Sequence, residues 1–267
     1  MKFLKIILFL QLIFPLSLFA EQVKSLPFEV GERLEYEISW LGIPGGNSSL
    51  EVKGITKVGQ IDAYHLMSRT WSNSFISTFF EVDDRIEGYM NANDLTGISL
   101  KVRQREGGHK VDKEIIFDSK TNKAHFTKNE KNSVHDVPPF IRDSLSSFYY
   151  LRSKDLEVGK DVVMDTFSNG KLYKLIVKVL NKEELQVNEK IYNTIKVQPL
   201  AKQNDIFKNK GEIFLWLTDD EYKIPVKIRS EIAIGYFTAE LINLKKGDNN
   251  GNRSGPSRYS RLSQVQR

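Results

Sequence analysis

The sequence GEIFLWLTDDEYKIPVKIRSEIAIGYFTAELINL, which spans residues 211–244, indicates a β fold. Residues 212–217 and 224–232 are rich in β-branched and aromatic side chains and flank the polar segment 218–221, a pattern typical of a β-hairpin. After Gly235, apolar and polar residues alternate and predict a third strand. Because one face of such a meander must be covered, the rest of the chain has to supply its packing partners.

Further strand patterns recur through the chain at short spacing, with turn-forming residues between them. They cover residues 34–40, 49–55, 63–71, 75–83, 86–90, 96–103, 111–118, 123–128, 161–167, 171–181, 183–187 and 192–199. A turn is expected at 42–46, and residues 201–210 read as an exposed polar loop. Strands spaced in this way predict an all-β, mainly antiparallel fold: a strongly curved sheet, an open barrel or a sandwich.

One helix is predicted, at residues 143–152, with the sequence DSLSSFYYLR. Asp143 is a suitable N-cap, and Leu145, Phe148, Tyr149 and Arg152 recur at helical spacing on one face. We expect this face to pack against the concave side of the sheet. LEVGK after the helix resembles FEVGE near the start of the chain, which suggests two related halves, 28–135 and 155–244, within a single sheet domain spanning 21–244.

The N-terminal segment has the pattern of a secretory signal peptide over residues 1–20. Lys2 and Lys5 precede an apolar run, and cleavage is expected after Ala20. A periplasmic location is therefore predicted, with an uncleaved membrane anchor as the alternative. Because the chain has no cysteine, disulfides, thiolate metal sites and a lipid-modified N-terminal cysteine are excluded.

The formal net charge of +5 comes from the two ends of the chain, and the part between them is close to neutral. This composition argues against a nucleic-acid partner. Residues 245–267 form a basic tail that lacks apolar periodicity and is expected to be disordered. The tail is either a solvated extension or a peripheral contact with anionic membrane surfaces.

Catalytic and metal-binding patterns are scarce. The four histidines (His65, His109, His125 and His135) lack the close pairing of zinc sites, so no metal and no cofactor is expected. A serine nucleophile elbow is also absent. An enzyme remains the less favoured alternative: a hydrolase or glycan-modifying protein whose carboxylates, such as Asp83, Asp84 or Asp219, are brought together by folding.

Aromatic residues are abundant, with 16 Phe, 10 Tyr and 3 Trp. If several line the concave side of the sheet, they form either a filled core or a cavity for an acyl chain. The candidate ligand-binding residues are Trp40, Trp71, Phe79, Phe148, Tyr149 and Trp216. The favoured hypothesis is a non-catalytic protein that binds an apolar or amphipathic, lipid-like ligand or an envelope protein partner; a structural scaffold or adaptor is a further alternative.

Several short motifs resemble an exported bacterial family known as domain of unknown function 3108. They are DSLSSFYYLR at 143–152, LEVG at 156–159, WLTDD at 216–220, IPV at 224–226, FEVGERLEY at 28–36 and GIPGG at 42–46. The resemblance covers about residues 28–244. It implies a location in a Gram-negative envelope and a strongly curved antiparallel sheet, and it implies no agreed activity and no catalytic residues.

Overall fold

The computed structural model describes residues 26–203, 206–207, 211–245 and 247. The predicted signal peptide therefore lies outside the described residues. The same holds for the basic tail, apart from Lys245 and Gly247, and for part of the loop predicted at 201–210.

The described residues form one antiparallel sheet with two helices. The strands are β1 (Arg33–Trp40), β2 (Ile43–Val58), β3 (Ile61–Ser72), β4 (Asp83–Asn91), β5 (Gly97–Glu106), β6 (His109–Asp118), β7 (Lys123–Lys128), β8 (Lys131–Asp136), β9 (Val162–Ser168), β10 (Lys171–Val187), β11 (Lys190–Gln203), β12 (Ile206–Phe207), β13 (Glu212–Thr218), β14 (Pro225–Ile232) and β15 (Gly235–Lys245). The helices are α1 (Ser74–Ser77) and α2 (Ser144–Arg152). The predicted all-β fold is confirmed.

The sheet runs in the order β8-β7-β6-β5-β4-β3-β2-β1-β15-β14-β13-β11-β10-β9, with β12 paired to β11. The strands formed by residues 211–244 thus lie in the interior of the sheet, where the last strand, β15, pairs with the first, β1. The outermost strands, β8 and β9, do not pair with each other, so the sheet is unclosed.

A short connection before α2 bridges the gap in the sheet. The carbonyl of Ile141 accepts from the amide of Gly97 at 3.0 Å, at the start of β5. Arg142 donates its amide to Asp165 at 3.3 Å and accepts from Phe167 at 2.8 Å, both in β9. These backbone bonds tie the first part of the sheet to the second through the chain that enters the helix.

Helix α2 begins where the sequence predicts. The buried side chain of Asp143 accepts from the amides of Leu145 and Ser146, and Ser146 completes a capping box by accepting from the amide of Asp143. These bonds satisfy amides that have no partner inside the helix. The helix therefore starts at a fixed point beside the bridge between β5 and β9.

The helix separates two parts of the core. Leu145 and Tyr149 belong to a cluster with β-strand residues of the first part of the sheet, whereas Leu151 packs with strands of the second part. Phe148 and Tyr150 are partly buried and contact both clusters. A third cluster joins residues of β1, β13, β14 and β15 with the end of β10. The predicted packing of the helix on the sheet is confirmed.

The prediction of a strand at 75–83 is wrong. Residues 74–77 form the short helix α1, and β4 begins only at Asp83. The side chain of Asn73 accepts from the amide of Ile76 and starts this helix. Phe75 and Phe79 face solvent, so their apolar character does not reflect core packing.

The first hairpin also turns earlier than predicted. Leu41 and Gly42 have positive φ values, 51° and 85°, and make the turn, while Gly45 and Gly46 already belong to β2. Gly46 is required there because a Cβ would lie 2.3 Å from the carbonyl oxygen of Trp71. The glycine thus serves a close contact between strands and not the turn itself.

Candidate functional site

The concave side of the sheet is largely filled by side chains. The cavity found there among the described residues has a volume of about 160 Å³ and lies beside the start of α2, with Lys113, Phe126 and Ser144 in its wall. Ligand pockets usually measure about 300–1,000 Å³. Among the described residues, the concave side of the sheet therefore has no space large enough for an acyl chain under the helix.

The most distinctive surface lies at one end of the strands. We define the apolar rim as residues 40–46, 73–80 and 232–237, which form the β1–β2 turn, the α1 segment and the β14–β15 turn. Leu41 donates its amide to the carbonyl of Tyr236 at 3.1 Å, and Asn73 donates its amide to Gly45 at 2.9 Å. The three segments are therefore neighbours and form one continuous surface.

The rim exposes large apolar side chains side by side. Phe79 is 78% exposed, Ile234 72% and Phe75 69%. The complete exposed set is Trp40, Leu41, Ile43, Phe75, Phe79, Phe80, Ile234 and Phe237. None of the three rim segments contains a charged residue, although 27% of the chain is charged. A contiguous exposed patch of this kind marks an interaction surface more often than chance.

Specific contacts hold the α1 segment in place on the rim. The Asn73 side chain donates to the carbonyl of Pro44 at 3.0 Å, which fixes α1 to the start of β2. Phe75 and Phe79 meet edge to face, with ring centroids 5.8 Å apart. The ring of Phe80 lies against Gly107 in the β5–β6 turn. These contacts fix the position of the α1 segment, while the outer faces of its aromatic rings remain exposed to solvent.

Charged side chains lie directly behind the rim. The guanidinium of Arg69 lies over the ring of Trp71 at 5.1 Å, and that of Arg229 lies over Tyr236 at 4.0 Å. Asp83 accepts from Arg69 at 2.8 Å, at the first residue of β4. Charged side chains of the strands therefore border the uncharged rim directly.

The predicted ligand-binding aromatics do not form one site. Trp40 and Phe79 belong to the apolar rim, and Trp71 lies just behind it. Tyr149 is buried in the core and Phe148 is half-buried between two core clusters. Trp216 is buried in the third cluster, where its Nε1 donates to Glu183. The expectation of a shared aromatic lining on the concave side does not describe Trp40 or Phe79, because both face solvent.

The predicted carboxylates separate in the structure. Asp83 pairs with Arg69 and Arg85, and Asp219 pairs with Lys182. Asp220 accepts from the amides of Tyr222 and Lys223, as expected for an Asx-type turn.

Asp84 meets a carboxylate that sequence reasoning missed. It accepts from the amide of Arg105 at 2.7 Å and lies close to the side chain of Glu106. Burial, together with the nearby carboxyl of Asp84, raises the pKa of Glu106 above its ordinary value. The signal was absent from the sequence because the two residues are brought together only by the pairing of β4 with β5.

The histidines do not converge. His65 contacts Glu87 at 2.7 Å, while His135 contacts Ser133 at 2.8 Å. Within residues 26–203, 206–207, 211–245 and 247, no group of three or more His, Cys, Asp or Glu side chains could hold a metal ion. Neither helix of the described chain is long and apolar enough to cross a membrane.

Comparison with known sequences gives one family. A family model described as "Protein of unknown function (DUF3108)" matches residues 35–242. No curated protein matches the chain.

Two solved structures resemble the fold at low sequence identity. A beta-barrel-like protein of the domain of unknown function DUF1849 from Brucella abortus aligns with a TM-score of 0.58 and 12% identity, over 83% of this chain and 99% of that chain. A protein with a YmcC-like fold from Bacteroides fragilis aligns over 83% of this chain and 98% of that chain, with 10% identity and a TM-score of 0.33. The first similarity supports the fold alone, and the second is too weak to support an argument.

Proposed function

Because the chain belongs to the DUF3108 family of proteins of unknown function, we propose its function from the geometry of its own residues. The proposed function is that of an exported protein that binds lipid membrane surfaces through the apolar rim. The observation that carries this proposal is the side-by-side exposure of large apolar side chains on three uncharged segments.

The chemistry of the rim suits the boundary between lipid headgroups and acyl chains. Each large apolar side chain that is fully removed from water contributes about 1.5–3 kcal/mol. Partial insertion of Phe75, Phe79 and Ile234 would thus give a substantial attraction. Arg69 and Arg229, which stack on aromatic rings behind the tips, would lie at the depth of the lipid phosphates.

The shape of the rim favours a bilayer over an enclosed apolar ligand. The apolar groups sit on two turns and one short helical segment at the ends of strands, so they are presented outward. The cavity of about 160 Å³ on the concave side is too small for an acyl chain of a membrane lipid. The signal-peptide pattern of residues 1–20 supports export to the periplasm, where membranes bound the compartment.

Vesicle flotation tests the proposal. The rim variant carries Phe75→Ser, Phe79→Ser and Ile234→Ser, and the control carries Ile55→Ser, Val158→Ser and Ile191→Ser, three exposed apolar residues outside the rim. All proteins keep the same terminal segments, so a difference reports the rim. With vesicles of phosphatidylethanolamine and phosphatidylglycerol, we expect the wild type and the control to float and the rim variant to remain at the bottom. Equal flotation of the rim variant and the wild type would overturn the proposal.

A second candidate function is hydrolysis by the carboxylate pair Asp84 and Glu106, which is favoured by their proximity and by the raised pKa of Glu106. Two adjacent carboxyls that share one proton could act as general acid and base in the hydrolysis of a peptide bond. The test is release of new amino groups from the peptide stems of purified peptidoglycan. Activity that Glu106→Gln abolishes and the exposed Glu157→Gln retains would support this function, and no release by the wild type would exclude it for this substrate.

A further inference from the structure

A groove of about 790 Å³ lies on the sheet face that points away from α2. Leu100 and Ile115 of adjacent strands pack towards the helix-containing core, and Ile86 and Val102 border both the core and the groove. Because side chains alternate along a strand, residues next to these in sequence, such as Arg85 and Lys101, face the opposite way. Most of the side chains that line the groove therefore belong to the outer face of β3 to β7.

Three arginines lie in register across this face. Arg69 of β3 is directly opposite Arg85 of β4, and Arg85 is directly opposite Arg103 of β5. Like charges at directly opposite positions destabilise a sheet. A row of three guanidinium groups therefore destabilises the sheet unless negative charges lie close to it.

Nearby carboxylates supply only part of that counter-charge. Asp83 bonds to both Arg69 and Arg85. Asp112, which is opposite Arg103 in the register, bonds through both oxygens to Arg105, at 2.8 and 2.9 Å.

The other acidic residues of the groove do not neutralise the positive charge of Arg103. Glu87 accepts from His65, and Glu114 pairs with Lys101 at 3.4 Å. Glu130 lines the groove from the β7–β8 turn. Among the described residues, no carboxylate forms an ion pair with Arg103.

We propose that this groove is a binding site for a single phosphate group, held between the guanidinium groups of Arg85 and Arg103. Paired guanidinium groups bind phosphate oxygens in a bidentate manner. Adjacent strands are about 4.8 Å apart, so two neighbouring arginines can contact one phosphate from two sides. Glu87, Glu114 and Glu130 along the rest of the groove disfavour a polyanion and select a ligand with one phosphate.

The phosphate could belong to a phospholipid headgroup or to a free phosphate ester. The arginine row lies next to the rim, since Arg69 and the rim-flanking Trp71 are two residues apart in β3. The phosphate site does not depend on membrane binding by the rim, because a free phosphate ester would contact the groove alone. The two sources therefore have to be separated by experiment.

Isothermal titration with glycerol 3-phosphate in low-salt, phosphate-free buffer tests the site. Arg103→Gln should weaken binding about tenfold, the loss expected for a charge-assisted hydrogen bond, and Arg103→Lys should restore it only in part. Arg33→Gln, which removes an arginine at the far end of β1, is the matched control and should bind as the wild type does. No saturable binding by the wild type, or equal binding by Arg103→Gln, would overturn the proposal.

Vesicles then identify the source of the phosphate. If Arg103→Gln also weakens binding to phosphatidylglycerol vesicles, the ligand is a headgroup. If vesicle binding is unaffected while glycerol 3-phosphate binding falls, the ligand is a free ester. The rim variant with Phe75→Ser, Phe79→Ser and Ile234→Ser should still bind glycerol 3-phosphate, so failure of the rim and failure of the phosphate site are distinguishable.

Discussion

Arg152 and Glu32 form an ion pair with virtually no solvent exposure, with Nη1 2.6 Å from Oε1. The guanidinium also donates to the carbonyls of Pro27 and Tyr222, at 3.0 and 3.2 Å. One side chain at the end of α2 therefore joins the segment before β1 to the connection between β13 and β14. These three segments meet only in the folded chain, because Glu32 and Arg152 are 120 residues apart.

Removing one partner of this pair should be strongly destabilising. Arg152→Met leaves Glu32 as a buried carboxylate without its cation, and we expect the free energy of unfolding to fall by about 3–5 kcal/mol. Urea denaturation followed by tryptophan fluorescence measures the loss. A decrease below about 1 kcal/mol would show that the pair does not hold these segments together.

The double variant Glu32→Gln/Arg152→Met provides the internal control. Since neither residue then carries a charge, its loss should be smaller than the sum of the two single losses by at least about 1 kcal/mol. Strict additivity would mean that the two side chains act independently.

Gly46 and Gly54 lie in the same strand, and alanine should be much more destabilising at Gly46 than at Gly54. At Gly46 a Cβ would lie 2.3 Å from the carbonyl oxygen of Trp71, and backbone cannot move aside without disturbing the pairing of β2 with β3. Gly46→Ala should therefore cost about 2–3 kcal/mol. At Gly54 nothing lies within 4 Å, so Gly54→Ala should change stability by less than about 1 kcal/mol. Thermal denaturation of the two variants checks the difference, and equal losses would contradict the close contact.

The cap of α2 makes a prediction about Asp143. Its buried carboxylate accepts from the amides of Leu145 and Ser146, at 2.8 and 3.0 Å. Asp143→Ala should cost about 1–2 kcal/mol because both amides lose their partner. Asp143→Asn should cost less than half of that, since an amide oxygen can still accept. Chemical denaturation ranks the variants, and an asparagine as damaging as alanine would argue against capping as the main role.

Glu106 should make stability depend on pH. Burial and Asp84 raise its pKa in the folded state above the ordinary value of 4.5. A raised carboxyl pKa gives a stabilising contribution that is present below the unfolded value and is lost as pH rises through the folded value. Glutamine at position 106 cannot ionise, so the Glu106→Gln variant does not lose this contribution as the pH rises. The difference in melting temperature, variant minus wild type, should therefore increase by roughly 1–2 °C between about pH 4 and pH 8.

Scanning fluorimetry across the same pH range measures this difference. The exposed Glu157→Gln is the control and should show a smaller change with pH. A flat difference for Glu106→Gln would mean that the two carboxyls do not influence each other.

Local patterns account for the parts of the structure that the sequence predicted. The alternation in 211–244 and in the earlier strands reflects the two faces of a sheet, and the helix at Ser144–Arg152 reflects helical spacing and a cap at Asp143. Each of these signals is contained within a few consecutive residues. The error at 75–83 has the same origin, since a run of aromatic residues has the same composition on a strand and on an exposed segment.

By itself, the sequence determined that the chain forms an antiparallel β fold with a helix packed on it, because strand alternation and helix capping act over short distances. Only the tertiary structure decided that Trp40 and Phe79 share an exposed rim, that Arg85 faces Arg103, and that Asp84 meets Glu106. Such meetings depend on strand register, and a shift of one residue would send each side chain to the opposite face. Register is set by the packing of the whole sheet around α2, which no short stretch of sequence contains.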